Sequence, residues 1–158
     1  MTARPSEYPA EASPPTVPPA SIDFDRAEGA HRLAGIRVLV VEDEPDTREL
    51  VATVLERLGA HVSAFGTAEE ALAGFDAFGP QIVISDLSLP RIDGWEMIRR
   101  VRATVFGRTV PALALSANAS LEDAGRALDA GFDVHLAKPI SREELVAAVL
   151  SVVDLRRC

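Results

Sequence analysis

The sequence predicts a doubly wound α/β sandwich in which five helices cover the two faces of a five-stranded parallel sheet. From Gly35 onward, short aliphatic runs of strand length alternate with amphipathic stretches of helical length. Capping residues, prolines and glycines stand between the two kinds of segment, where helices start and stop. Because strands buried on both faces are nearly continuous apolar runs, these aliphatic runs favour a parallel sheet.

The first predicted strand is the run IRVLVV, over residues 36–41. The acidic turn EDEP leads into a helix over residues 46–58, with Pro45 suited to its first turn and Gly59 to its end. Helical spacing places five apolar side chains on one face of this helix: Leu50, Val51, Val54, Leu55 and Leu58. The globular part of the chain therefore begins with a strand followed by a helix.

The strand–helix unit then repeats along the chain. The further strands are predicted over residues 60–65, 81–86, 110–116 and 133–137. The helices that follow them are predicted from Thr67 to about Phe78, over 94–103, at about 120–130 and over 142–155. Capping boxes, in which glutamate follows a hydroxyl residue by three positions, open the second and the fifth helix: Thr67 with Glu70, and Ser141 with Glu144.

The composition, 47% hydrophobic and 25% charged over 158 residues, is that of one globular domain. The sequence shows neither an apolar run long enough for a membrane span nor a signal peptide, so we expect a cytoplasmic protein. Cys158 is the only cysteine, which excludes an internal disulfide. The formal charge of −8 works against nucleic-acid binding, so the expected partner is a protein or a cation.

Residues 1–34 differ in composition from the rest of the chain. They hold six of the eleven prolines, interspersed with alanine, serine and glutamate, and show no sustained helical or strand period. Such segments bury too little apolar surface to offset the entropy lost on folding. We predict a disordered leader or linker over residues 1–34 and a globular domain over residues 35–158.

Chemically informative residues follow four of the five predicted strands: Glu42 with Asp43, Asp86, Ser116 and Lys138. In the strand order 2-1-3-4-5, which one common doubly wound architecture uses, these residues converge on one rim of the sheet. Three carboxylates there outnumber one ammonium, and carboxylates so close together need a cation to stay ionised. Because the ligands are all oxygens, the sequence predicts a magnesium site that also receives a phosphoryl group.

Lys138 is the only lysine among the 16 basic residues. A compact ammonium on a flexible stem can follow a phosphate in a way that the rigid guanidinium fork of arginine does not. Taken singly, each residue of the rim has a structural alternative, because acids cap helices and Asp86, Ser116 or Lys138 could be an ordinary turn or surface residue. Their joint placement at the ends of the correct strands favours a functional site.

These motifs resemble the receiver domain of bacterial two-component response regulators, which has a flavodoxin-like fold. The resemblance covers residues 36–155 and rests on the segments VLVVEDEPDTRELV, VISDLSLPRIDGWEMIRRVR, PALALSANAS and AGFDVHLAKPISREELV. It implies a phosphorelay switch that accepts a phosphoryl group from a histidine kinase or a histidine phosphotransfer domain. Such a domain catalyses its own phosphotransfer and dephosphorylation and is not otherwise an enzyme.

The resemblance also implies roles for individual residues. Asp86 matches the phosphoacceptor aspartate. Glu42 and Asp43 match the acidic pair that holds magnesium together with Asp86, although the family more often has aspartate at the first of the two positions. The main-chain carbonyl of Ser88 would complete the protein ligands.

Three further residues match the machinery of the switch. Ser116 matches the hydroxyl that hydrogen-bonds the phosphoryl group, and Lys138 matches the lysine that pairs with it, before a cis peptide bond to Pro139. His135 stands where the family usually has a tyrosine or phenylalanine that turns inward on activation. Histidine is smaller and titratable, so a role for His135 in switching and an ordinary strand position are both open.

Two other functions are considered. A phosphatase of the haloacid dehalogenase type also uses an aspartate nucleophile, magnesium and a lysine, but it needs a second aspartate where this chain has Ser88. A flavin-binding flavodoxin needs a hydroxyl-rich phosphate loop after the first strand, where this chain has EDEPD. We expect a signalling module without a DNA-binding output domain, either a separate regulator or the receiver of a hybrid kinase. The sequence leaves the downstream partner and homodimerisation open.

Overall fold

The computed structural model describes residues 32–117 and 120–157. Nearly all of the predicted leader therefore lies outside the described residues. The strands are β1 Arg37–Val41, β2 His61–Phe65, β3 Ile82–Asp86, β4 Ala112–Ser116 and β5 Val134–Ala137. The helices are α1 Pro45–Arg57, α2 Ala68–Phe78, α3 Gly94–Arg102, α4 Leu121–Ala130 and α5 Arg142–Arg157. In this part of the chain, no helix is long and apolar enough to cross a membrane.

All four strand pairings are parallel, and the sheet order is β2-β1-β3-β4-β5. The predicted fold class and strand order are thus confirmed, and the element bounds differ from the predicted ones by at most two residues at either end. In a parallel sheet of this order, the residues that follow β1, β3, β4 and β5 all leave the sheet at one edge. We call this edge the carboxyl edge and the opposite one the amino edge.

The predicted capping signals form the helix starts. Thr67 Oγ1 accepts a hydrogen bond of 3.2 Å from Glu70 N. Ser141 and Glu144 form a reciprocal pair, with Ser141 Oγ accepting from Glu144 N at 3.0 Å and Glu144 Oε1 accepting from Ser141 N at 3.2 Å. These bonds satisfy main-chain N–H groups that have no partner within the first helical turn.

Two hydrophobic cores lie on opposite faces of the sheet. Alternation along β1 places Val38 and Val40 in the core beneath α1 and α5, and Leu39 and Val41 in the core beneath α2, α3 and α4. The central strands are therefore apolar on both faces and fix the layers above and below them. This double burial explains why β1, β3 and β4 are continuous apolar runs in the sequence.

The prediction that Leu50 belongs to the buried face of α1 is wrong, because its side chain is 47% exposed. The neighbouring Val51, Val54 and Leu55 are buried as expected. Successive helical residues are rotated by about 100°, so the residue before Val51 lies at the border of the apolar stripe. The apolar stripe of α1 is too narrow to include Leu50, so this side chain faces solvent.

Arg102 is largely buried, unlike the other two arginines in the last turn of α3. Its side chain is only 19% exposed, whereas those of Arg99 and Arg100 are 60% and 53% exposed. Its guanidinium donates hydrogen bonds to the main-chain carbonyls of Gly107, Val110 and Gly131. A long cationic side chain in the last turn of a helix can reach loop carbonyls beyond the helix end, which periodicity alone does not reveal.

The first residue of α3, Gly94, allows the helix to start directly against the end of β3. Gly94 N donates a hydrogen bond of 3.0 Å to Leu87 O. A β-carbon at Gly94 would lie 2.3 Å from Asp86 O and 2.8 Å from Leu87 Cα, both main-chain atoms. The absence of a side chain at this position therefore fixes how closely α3 approaches the residue that ends β3.

We expect Gly94→Ala to lower the free energy of unfolding by roughly 1–3 kcal/mol, because the main chain must shift to admit the methyl group. The matched control is Gly125→Ala in α4, where a β-carbon meets no atom within 4 Å. This control should raise the free energy of unfolding by about 0.5–1 kcal/mol through lower chain entropy. Urea denaturation measures both changes, and equal effects of the two substitutions would contradict the proposed close contact.

Candidate functional site

The carboxylates of the predicted site converge at the carboxyl edge. Asp86 is the last residue of β3 and is buried, Glu42 directly follows β1 and is fully buried, and Asp43 is exposed. One carboxylate oxygen from each lies within 4.8 Å of those of the other two. This proximity brings together the three acidic residues that the sequence predicted for a metal site.

Lys138, which follows β5, binds two of these carboxylates. Its Nζ lies 2.8 Å from Glu42 Oε1 and 3.1 Å from Asp86 Oδ2. The main chain is fixed there by a hydrogen bond of 2.7 Å from Lys138 N to Ser116 O, and the peptide bond to Pro139 is cis. The single lysine thus joins the ends of three strands, β1, β3 and β5.

Burial opposes both charged forms, but with different outcomes. Burial raises the pKa of Glu42, whereas hydrogen bonds from the Lys138 ammonium and the Glu44 main-chain N–H lower it. The effect of burial is the larger one, and the pKa is about 7. Burial would also lower the pKa of Lys138, but the carboxylates of Glu42 and Asp86 outweigh this and hold the pKa above its ordinary value. The ammonium therefore stays charged beside a carboxyl group that is easily protonated.

Asp86 is held at both carboxylate oxygens. Asp86 Oδ1 accepts a hydrogen bond of 3.1 Å from Ser88 N, and Asp86 Oδ2 contacts Lys138. The bond from Ser88 N turns the chain immediately after β3, as aspartate side chains commonly do. This turn fixes the orientation of the Asp86 carboxylate at the rim of the sheet.

Ser116 is the last residue of β4 and is buried. Its position beside the end of β3 is the one predicted, since β3 and β4 are neighbours and Asp86 is in register with Leu115. His135 lies within β5, opposite Ala114, and is partly buried. Its Nε2 is buried and makes no hydrogen bond with the described residues. The structure thus places Ser116 at the rim and His135 within the edge strand β5.

The capping alternative for the acidic turn holds for Glu44. Glu44 Oε1 accepts a hydrogen bond of 3.0 Å from Thr47 N at the start of α1. Glu42 Oε2 instead accepts from Glu44 N at 3.0 Å, and the rest of the Glu42 carboxylate faces Lys138. Adjacent acids in one turn therefore have different tasks, which their sequence order alone does not distinguish.

Arg48 is a site residue that the sequence analysis missed. Its Nη1 donates a hydrogen bond of 2.8 Å to the main-chain carbonyl of Glu42. A β-carbon at Gly66, directly after β2, would lie 3.1 Å from the same nitrogen. Arg48 thus fixes the backbone of the acidic turn, and the small residue after β2 leaves room for it. The only signal in the sequence is an arginine one turn into the helix after an acidic strand end.

The chemistry of this cluster fits a hard divalent cation. Glu42, Asp43 and Asp86 offer oxygen ligands only, and one ammonium leaves their combined charge negative. Magnesium accepts a few carboxylates and completes its shell with water or phosphate oxygens. The exposure of Asp43 beside the two buried carboxylates would give such a cation an approach from solvent.

The family model of the response regulator receiver domain matches residues 38–150. The chain belongs to the receiver domain family. Receiver domains are signalling modules of two-component systems, and the order of strands and helices in this chain agrees with that family.

This receiver domain is 44% identical over 117 residues to an uncharacterized 14.6 kDa protein in the sodA1 3′ region of Leptolyngbya boryana, covering 74% of this chain and 89% of that protein. It is 42% identical over 120 residues to the transcriptional regulatory protein TrcR of Mycobacterium tuberculosis, covering 74% of this chain and 46% of TrcR. The match thus spans less than half of that second relative.

Among solved structures, the receiver domain of the sensor histidine kinase PA1611 from Pseudomonas aeruginosa superposes with a TM-score of 0.68 at 34% identity. The match covers 75% of this chain and 97% of that domain, which holds a magnesium ion coordinated in its active site cleft. A metal in that relative agrees with the acidic cluster found here.

We expect Lys138→Met to lower the free energy of unfolding by roughly 3 kcal/mol, because it leaves the buried carboxylates of the receiver domain without their counter-charge. Urea denaturation at neutral pH in the presence of a chelator measures the change. The control is Arg91→Met, which removes the largely exposed ion pair between Arg91 Nε and Glu69 Oε2 at 2.7 Å. It should leave stability nearly unchanged. Similar losses in both variants would contradict a special role for the buried pair.

Proposed function

We propose that this receiver domain is a phosphorylation-dependent switch that accepts a phosphoryl group on Asp86 from a histidine kinase or a histidine phosphotransfer domain. The observation that carries the proposal is the setting of Asp86. Its carboxylate ends a central strand, is oriented by Ser88 N and Lys138 Nζ, and lies beside two further carboxylates. The site combines a nucleophile with a cationic and a metal-binding partner, as aspartyl phosphate formation requires.

In the proposed reaction, a carboxylate oxygen of Asp86 attacks the phosphorus atom of a phosphohistidine. The new P–O bond forms as the P–N bond breaks, and the imidazole departs with the electron pair of that bond. Negative charge on the phosphoryl oxygens is stabilised by Lys138, which already lies 3.1 Å from Asp86 Oδ2. The product is an acyl phosphate whose hydrolysis regenerates Asp86.

Glu42, Asp43, Asp86 and the main-chain carbonyl of Ser88 would hold magnesium in this site. When bound, magnesium supplies a positive charge that neutralises phosphoryl oxygens and offsets repulsion from the carboxylates. The fit rests on the oxygen-only set of ligands and on their mutual distances of no more than 4.8 Å for the three carboxylates. Arg48 would support this set by fixing the Glu42 main chain.

The output of the switch would begin at Ser116. Its hydroxyl would donate a hydrogen bond to the phosphoryl group and shift the loop that follows β4, and so change the surface near α4 and β5. His135 would take part from β5, where its buried Nε2 has no hydrogen bond to a described residue. Part of the loop after Ser116, including Asn118, lies outside the described residues.

The domain would act only on its own phosphorylation and not on an external substrate. The phosphatase alternative lacks its general acid, because Ser88 stands where a second aspartate is needed. The main-chain N–H of Ser88 already donates a hydrogen bond to Asp86 Oδ1. The flavodoxin alternative is disfavoured by the buried carboxylate of Glu42 in the turn that would have to bind a flavin phosphate.

The expected setting is the cytoplasm, with a histidine kinase as partner and no contact with nucleic acid or membrane. Relatives include a longer transcriptional regulator and the receiver of a sensor kinase, so a separate regulator and a hybrid-kinase receiver are both compatible with the comparisons. Homodimerisation is an open alternative for the output.

Incubation with acetyl phosphate should add the mass of one phosphoryl group to the wild-type protein, and Asp86→Asn should abolish this gain because the amide is not a nucleophile. Intact-mass analysis, with and without magnesium, measures the mass gain of the wild-type protein and of the Asp86→Asn variant. The control, Asp129→Asn, changes an exposed aspartate of α4 in the same way and should leave the gain intact. Phosphorylation of Asp86→Asn at the wild-type rate would refute the assignment of the phosphoacceptor.

Asp43→Ala should weaken magnesium binding by at least about tenfold, since losing even an indirect support of a metal ligand commonly costs that much. Isothermal titration calorimetry measures the affinity. The control is Asp46→Ala, which removes an exposed acid from the first turn of α1, three residues further on, that is not part of the three-carboxylate cluster. If both variants lose affinity equally, the cation responds to general negative charge and not to ligation by Asp43.

A further inference from the structure

The turn between α3 and β4 presents two apolar side chains to solvent. Val105 is 77% exposed and Phe106 is 74% exposed, and they are adjacent in the chain. Contiguous exposed apolar surface is rare on soluble monomers beyond a few hundred square ångströms, and larger patches of it mark interaction sites. The pair lies at the amino edge of the sheet, opposite the phosphoacceptor, because the turn leads directly into β4.

The backbone of this turn is fixed by hydrogen bonds. Thr104 Oγ1 donates to Val101 O at 2.8 Å and accepts from Gly107 N at 2.9 Å. Arg102 Nη1 donates to Gly107 O at 2.8 Å. A β-carbon at Gly107 would lie 2.1 Å from Val101 O, so the turn closes tightly on the end of α3. Because the turn is already ordered, covering Val105 and Phe106 costs little backbone entropy.

One positive charge close to the exposed pair in sequence is without an acidic partner in the described part of the chain. Of the four arginines between Met97 and Leu121, Arg99 and Arg100 pair with Glu96, and Arg102 pairs with Asp133. Arg108, two residues after Phe106, is exposed and makes no ion pair with a described residue. We call Val105, Phe106 and Arg108 the turn patch. It fits a partner segment that carries both apolar and acidic side chains.

The sequence SIDFD, over residues 21–25, has this chemistry within the same chain. It combines Ile22 and Phe24 with Asp23 and Asp25. The rest of the first 31 residues consists mainly of proline, alanine, serine and polar residues. Apolar groups for Val105 and Phe106 and carboxylates for Arg108 therefore occur together in one short segment.

The position at which the described chain begins places this segment within reach. Leu33 N donates a hydrogen bond of 2.8 Å to Leu58 O, so the chain approaches β1 from the amino edge. The entries of β1 and β4 are two strand spacings apart, about 10 Å. The eight Cα–Cα steps from Phe24 to Arg32 can span up to about 28 Å. The tether is thus long enough to bring residues 21–25 onto the turn patch.

We propose that residues 21–25 dock on the turn patch of the same chain, with Ile22 and Phe24 covering Val105 and Phe106 and with the aspartates facing Arg108. Asp86 lies at the opposite edge of the sheet, so docking leaves the phosphoacceptor accessible. The proposal does not depend on phosphorylation. An external partner of the same acidic and apolar chemistry would have to displace residues 21–25 before it could bind the patch.

The experiment compares two cysteine pairs in the full chain, with Cys158→Ser removing the native thiol. The first pair is Ala20→Cys with Thr109→Cys, which lies next to the turn patch without belonging to it. The second is Ala20→Cys with Glu56→Cys, an exposed position near Leu58, where the tether begins. Mild oxidation followed by non-reducing electrophoresis and mass analysis gives the rate of disulfide formation within one chain.

If residues 21–25 did not dock, the disulfide between Ala20→Cys and Glu56→Cys should form faster, because Glu56 is nearer to the point at which the chain joins the domain. Docking on the turn patch should instead make the Thr109→Cys pair close roughly tenfold faster than the other, through a higher effective concentration. Adding Ile22→Ser and Phe24→Ser should remove this preference, and high salt should weaken it. Equal rates, or a preference that survives the two serine substitutions, would overturn the proposal. Disulfides predominantly between chains would also overturn it, because the occupant would then be a second copy.

Discussion

The contact on which the rest of the site depends is the ion pair of Lys138 with Glu42 and Asp86. Two carboxylates that are nearly or fully withdrawn from water repel each other and lose hydration, and a buried charge is tolerated only with a partner at short range. The ammonium of Lys138 provides this partner for both at once. It also connects three strand ends that the sheet alone would bring near each other without fixing their side chains.

The sheet makes this contact possible because its strands are parallel and its order places β1 beside β3. Glu42 and Asp86 therefore lie side by side at the carboxyl ends of neighbouring strands. The main-chain carbonyl of Ser116, at the end of β4, accepts a hydrogen bond from Lys138 N. Gly94 contributes from outside the cluster by letting α3 begin against Asp86 O. The geometry of the site is thus a result of main-chain packing to which the charged side chains are added.

Most of the fold could be predicted from sequence because its signals are local: apolar runs, capping residues and glycines at helix ends. The cluster of Glu42, Asp43, Asp86, Ser116 and Lys138 could also be predicted as a neighbourhood, since topology alone carries strand ends to one edge. The role of each individual side chain could not be predicted. Glu44 caps a helix while Glu42 faces Lys138, and the side chain of Arg102 is largely buried, because these outcomes depend on distances that no sequence period encodes. Arg48 was missed for the same reason, since its target is a main-chain carbonyl.

The hydrogen bonds of Arg102 have a mechanical consequence for β4. This one guanidinium holds Gly107, Val110 and Gly131, so the polypeptide entering β4 is anchored to α3 and to the segment before β5. A strand secured at its entry cannot slide along its own axis without breaking several bonds. If Ser116 moves as proposed, β4 would be held at its entry, and the displacement would be confined to the exit end of the strand.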